Sequence, residues 1–104
     1  MVNLDLMNLT LAYIEANPKE WNQETWRCKT GCCFAGTAAM LAGWKWHEKN
    51  DLYSPNVIRN GRVLTARRAA RRALGVDSEI LFYGKNTIED LRRIVGEYND
   101  EKKL

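Results

Sequence analysis

The chain has 104 residues, 45% of them apolar and 28% charged, with seven Gly and two Pro scattered rather than clustered. That is one domain of ordinary globular usage, expected over residues 1–98 with 99–104 as a frayed charged tail, and it excludes collagen-like, coiled-coil and disordered classes. The net charge of +3 hides a segregation: residues 1–26 sum to −3, residues 27–76 to +8 and residues 77–104 to −2.

Leu4, Met7, Leu11 and Ile14 recur at helical spacing, and Leu6, Leu9 and Tyr13 widen the stripe. This predicts an amphipathic helix over residues 4–16. Asn17-Pro18 ends it, because proline disfavours the α conformation in the residue before it. Residues 19–30, with Trp21 and Trp26 among polar neighbours, read as a helical turn or an ordered loop. From 31 to 43 the sequence is Gly-Cys-Cys-Phe-Ala-Gly-Thr-Ala-Ala-Met-Leu-Ala-Gly, apolar all round and small at most positions. That composition predicts a buried central helix that other elements approach closely. Residues 47–56 are polar and form a loop.

Val57-Ile58-Arg59-Asn60-Gly61-Arg62-Val63-Leu64 is a hairpin signal, because a type I′ turn needs positive φ at both central residues and Asn-Gly tolerates it. Thr65 can cap a helix over 66–74, with Gly75 in the usual C-terminal position. Asp77 or Ser78 caps a short helix through Phe82, which Gly84 stops. Thr87 caps the last helix, where Ile88, Leu91, Ile94 and Val95 keep helical spacing to about Tyr98. The expected fold is therefore mainly α, with about five short helices around the buried helix 31–43 and the hairpin 57–64 as its only sheet.

Met1-Val2-Asn3-Leu4-Asp5-Leu6 places an acid where a secretion signal carries basic residues, and the apolar stretch 31–44 is too short to span a bilayer. A cytoplasmic protein with no membrane partner is expected. Three cysteines exclude a fully paired disulfide scaffold, so thiols are the default. Cys28, Cys32, Cys33 and the only histidine, His47, match a zinc site in residue type but not in spacing. Structural zinc sites use two short ligand pairs, whereas His47 stands alone beyond a helix, and adjacent Cys32 and Cys33 would diverge by about 100°. No metal and no cofactor is expected. Cys28 and Cys33 remain candidate redox or structural thiols, since a helix N-terminus lowers a thiol's pKa. No motif supplies a nucleophile and orienting acid for His47, so no catalytic residue is assigned and His47 reads as a surface residue near a helix C-terminus. Of the four tryptophans, three are expected as cover over the small-residue helix, leaving Trp44 or Trp46 for the surface.

The arginines are the most informative feature. On a helical wheel over 66–74, Arg67, Arg68, Arg71 and Arg72 fill one arc, and Ala66, Ala69, Ala70, Ala73 and Leu74 fill the other. No acid offsets the like-charge pairs at i, i+4. Arg59 and Arg62 face each other across the hairpin, a second unfavourable pair. These six residues form a candidate patch for an acidic protein surface or a phosphate backbone. Arginine without lysine favours bidentate contacts.

The order of motifs carries a resemblance. Gln23-x-x-Trp26, then Cys28-x4-Cys33-x-Ala35-Gly36, then Leu74-Gly75, then Leu81-Phe82 before the last helix resembles a family of small mycobacteriophage and actinobacterial proteins. Lys29 stands where that family has glycine, and Thr37 where it has tryptophan. The resemblance implies a phage accessory protein that binds a host protein in the host cytoplasm, sometimes inhibiting growth. A host protein with an acidic surface is thus the expected partner. The alternatives are a nucleic-acid-binding regulator or defence antagonist using the same patch, and a thiol-redox or metal-binding protein.

Overall fold

The computed structural model describes residues 2–23, 33–47 and 56–103. Among them are four α-helices and one three-stranded antiparallel sheet, so the fold is α+β rather than the mainly α arrangement the periodicity suggests. Helix α1 spans Leu4–Ala16. After a 3₁₀ turn at Pro18–Glu20 come α2 (Phe34–Leu41), β1 (Lys45–Trp46), β2 (Asn56–Arg59), β3 (Arg62–Thr65) and α3 (Ala66–Leu74). A second 3₁₀ turn, Ile80–Phe82, precedes α4 (Ile88–Lys103).

Strand β1 is what the expected two-stranded hairpin lacks. Gly43 takes φ +96°, a conformation few residues with a side chain adopt, and turns the chain out of α2. Its turn is closed by the Trp44 N–H donating to the Ala39 carbonyl at 3.0 Å. Trp44, Lys45 and Trp46 then alternate buried, exposed and half-buried, the period of a strand. Lys45 pairs with Ile58 and Trp46 with Val57. Neither Trp44 nor Trp46 is therefore a surface residue, and His47 follows a strand rather than a helix. The short helix expected from Asp77 or Ser78 is only the 3₁₀ turn, although the Ser78 hydroxyl does accept from the Ile80 N–H.

The small-residue helix is shorter than its composition implies. Cys33 is its N-cap, with Sγ accepting from the Gly36 N–H at 3.3 Å; residues 31 and 32 lie outside the described residues. Helices α2 and α3 form the spine of the molecule and serve two cores. Phe34, Ala35 and Ala38 of α2, with Ala70 and Leu74 of α3, pack against α1 and α4. On the other flank, Ala39, Ala66 and Ala69 meet Val57 and Trp44. Alanine on both flanks lets the two helices approach closely while sheet and helices close over them.

Helix α1 keeps its expected bounds and its Leu4, Met7, Leu11, Ile14 stripe faces the core, but the stripe is narrower than expected. Leu4, Leu6, Met7, Thr10 and Ile14 are buried, whereas Leu9 and Tyr13 are exposed. Thr10 is tolerated inside because its hydroxyl donates to the Leu6 carbonyl at 2.7 Å. Helix α4 continues past Tyr98 to Lys103, so residues 99–103 are helical rather than a frayed tail. Asn99 and Asn8 exchange amide hydrogen bonds of 2.9 and 3.1 Å, tying this end to α1.

The start of α4 is a reciprocal cap. The Asp90 N–H donates to the Thr87 hydroxyl at 3.1 Å, and the Thr87 N–H donates to the Asp90 carboxylate at 3.0 Å. The Thr87 N–H is the main reason the Asp90 carboxyl sits below its ordinary range, with the Thr87 hydroxyl and Arg93 adding smaller effects. Its folded pKa is thus depressed, so its contribution to stability is present above about pH 4 and is lost as pH falls through the folded value. Thr87→Ala is expected to cost about 1 kcal/mol in urea melts, and Asp90→Asn to flatten the acid limb of the stability profile.

Candidate functional site

Helix α3 carries the candidate surface. Its N-terminus is closed by the Thr65 hydroxyl, which accepts from the Arg68 N–H at 3.2 Å. At its C-terminus, the Gly75 and Val76 N–H groups both donate to the Arg71 carbonyl, at 2.8 and 3.1 Å. These caps hold a nine-residue helix in which Ala66, Ala69, Ala70 and Leu74 are buried, Arg67, Arg68 and Arg72 exposed, and Arg71 half-buried. Arg71 and Arg72 suit the negative end of the helix dipole, but Arg67 and Arg68 sit in a first turn that holds no acid. The first-turn arginines therefore work against helix stability.

The missing acid comes from beyond α3. Glu79 places one carboxylate oxygen 3.0 Å from Nη1 of Arg67 and the other 3.8 Å from Nη1 of Arg71. All three side chains are 39–48% exposed, so these ion pairs add little to stability. They do define a geometry: one carboxylate spans the two guanidinium groups on this side of α3. Arg68 and Arg72 lie one position further round the helix.

Arg59 and Arg62 are directly opposed in the β2–β3 register, on either side of a turn with Asn60 at φ 52° and Gly61 at φ 79°. Strand alternation puts them on the same sheet face as Val57 and Leu64, the face turned to α2 and α3. Both are exposed, because the hairpin tip overruns the core. The Arg59 Nε lies 3.4 Å from where a Cβ on Gly43 would stand, so its guanidinium covers the turn after α2. Arg62 of the hairpin pair stands four residues, or about 13 Å of strand, from the start of α3. The six arginines thus form two groups, a hairpin pair and a helix face.

Beside Arg67, residues 79–84 form a ledge. Leu81 and Phe82 point into the core, while Ile80 is 47% and Tyr83 61% exposed. A hollow of about 280 Å³ is lined by Arg67, Glu79, Phe82, Tyr83 and Gly84. The ledge is pinned from behind by Gln23, whose amide nitrogen donates to the carbonyls of Leu81 at 2.8 Å and Tyr83 at 3.1 Å. The Gln23 amide oxygen accepts from the Phe34 N–H and from the Trp21 indole, both at 3.0 Å. A buried glutamine with every bond made is a structural tie. The Asn86 amide adds a bond of 2.7 Å to the Ile80 carbonyl.

The sequence reading found the arginines of this surface and missed Glu79, Tyr83 and the tie at Gln23. Gln23 already stood in the motif series, but apart from neighbouring Trp21 its partners come from two other segments, at Phe34 and at Leu81 and Tyr83. Of the two candidate thiols, Cys28 lies outside the described residues, as does Cys32, while Cys33 is buried at the start of α2. Among the described residues no three His, Cys, Asp or Glu side chains gather as a metal site, and no helix is long and apolar enough to cross a membrane. What the surface offers chemically is recognition of a carboxylate or other anion by planar donors beside an exposed apolar ledge. No protein-family model, curated protein or solved structure matches this chain.

Proposed function

We propose that this chain is a small accessory protein of phage type, acting by binding an acidic surface of a host protein and inhibiting growth where that surface is needed. Arg67, Arg68, Arg71 and Arg72 make the central contact, and Arg59 and Arg62 extend it from the hairpin tip. The observation that supports this reading is the complete division of α3, with every arginine outward and alanine inward. A helix needing only solubility would mix charges of both signs along that face. Tyr83, which lines a hollow with Arg67, supplies the aromatic contact typical of protein interfaces.

The test is affinity capture from nuclease-treated actinobacterial lysate, with the wild type beside the Arg67/Arg68/Arg71/Arg72→Ala variant. The wild type is expected to retain a protein that the variant loses. The variant should melt within a few tenths of a kcal/mol of wild type, because two like-charge i, i+4 pairs and the exposed Glu79 pairs disappear together. Binding to DNA of any sequence, with log K falling steeply and linearly against log salt, would instead assign the patch to nucleic acid.

A further inference from the structure

The exposed ledge beside α3 narrows the binding face to one of its halves. We infer that Glu79 occupies the place of a partner's carboxylate, and that Arg67, Arg71 and Tyr83 form the centre of a site for an acidic protein segment bearing an apolar side chain next to its acid. This rests on the reading of α3 as a partner-binding face.

Three observations lead there. Glu79 reaches Arg67 and Arg71 with different oxygens of one carboxylate, so the spacing of the two guanidinium groups already fits that group. The contact is half exposed and therefore weak, so an incoming carboxylate can displace it at little cost. Beside it stands Tyr83, with the hollow of about 280 Å³ between Tyr83, Phe82 and Arg67 giving room for an apolar side chain. Tyrosine and arginine are the residue types that dominate interface energetics when they cluster.

The ledge is also held ready. Gln23 bonds the carbonyls on either side of Phe82, and Asn86 bonds that of Ile80, so the backbone presenting Tyr83 is ordered before any partner arrives. A nucleic-acid strand fits less well. Tyr83 is the one exposed ring that residues 79–84 offer, so this segment builds no stacking platform of successive rings. Glu79 is then an internal competitor: its carboxylate partly offsets the charge of Arg67 and Arg71 until a partner acid replaces it.

The test measures binding of a fluorescein-labelled Glu-Glu-Phe-Glu-Glu peptide, its Gly-for-Phe counterpart and an oligothymidylate, at fixed salt. Glu79→Gln is expected to tighten binding of the Phe peptide by about fivefold or more. Glu97→Gln removes an equal charge from α4, where Glu97 pairs with Arg93, and should change it by less than about twofold. Arg67/Arg71→Ala should abolish binding, whereas Arg68/Arg72→Ala weakens it only about threefold through lost long-range attraction. Tyr83→Ala and the Gly-for-Phe peptide should each cost about tenfold. Melting curves confirm that each variant is folded.

If Glu79→Gln and Glu97→Gln behave alike, or both arginine pairs matter equally, Glu79 is no stand-in, while the wider patch reading survives on the wild-type binding. If wild type binds neither peptide, this inference falls, and capture with the four-arginine variant decides the patch separately. Tight binding of oligothymidylate with no binding of the peptides overturns both.

Discussion

Replacing Gln23 by Leu is expected to destabilise the fold by about 3–5 kcal/mol, a large share of the roughly 5–10 kcal/mol a domain of this size holds. Leu fills similar space, so the loss is not a cavity effect. It comes from polar groups left behind: the Phe34 N–H and the Leu81 carbonyl lose their Gln23 partner in the interior, and the Trp21 indole and Tyr83 carbonyl lose theirs nearer the surface. Leaving a buried donor or acceptor unpaired costs about 1–3 kcal/mol each. Denaturant melts give the number, and a loss below about 1 kcal/mol would show that water enters and replaces the amide.

Gln23→Glu sharpens the argument through pH. The atom that donates to two carbonyls becomes an oxygen facing them, and burial disfavours its charge as well. Both effects raise the folded pKa above the unfolded value near 4.3. An acid with a raised folded pKa is neutral in both states at low pH, so the variant should be closest to wild type below about pH 4. Its stability should then fall as pH rises to the folded pKa, and level off above it. A pH-independent loss would mean that the carboxylate has turned out to solvent.

Ala70→Leu is expected to cost about 1–3 kcal/mol without touching the arginines. Ala70 is fully buried in the core shared by α2, α3 and α1, where Ala35 and Ala38 are also fully buried. Added methyl groups there must push α3 outward or force neighbouring side chains off their rotamers. Partner binding by the folded fraction should persist, because Arg67, Arg68, Arg71 and Arg72 point the other way. Together with the four-arginine variant, this separates the two faces of one helix: one substitution set lowers the melting temperature, the other abolishes binding. If Ala70→Leu left stability unchanged, the close approach of α2 and α3 would not be what their alanines serve.

What the chain determines by itself is whatever a few neighbouring residues decide. Thr65 and Gly75 bound α3, Asn60-Gly61 bends the hairpin, Thr87 with Asp90 opens α4, and Asn17-Pro18 closes α1. Each signal acts over three or four residues, through a cap, a positive φ or a missing donor, and needs no distant partner. The division of α3 into arginine and alanine arcs is of the same kind, since it follows from helical spacing alone. Other features wait for contacts that the linear order does not contain. Trp44-Lys45-Trp46 becomes strand β1 only because β2 lies alongside to take its hydrogen bonds. Of the seven residues in the expected apolar stripe of α1, Leu9 and Tyr13 are exposed while Thr10, outside it, is buried, because the neighbours choose which arc to cover. Glu79 meets Arg67 from twelve residues away, and Gln23 finds its carbonyls 58 and 60 residues along the chain. Local rules place the six arginines on their elements, but only the tertiary structure, through the ion pairs of Glu79 and the hollow that Tyr83 shares with Arg67, shows that an acid and an exposed tyrosine lie beside that face.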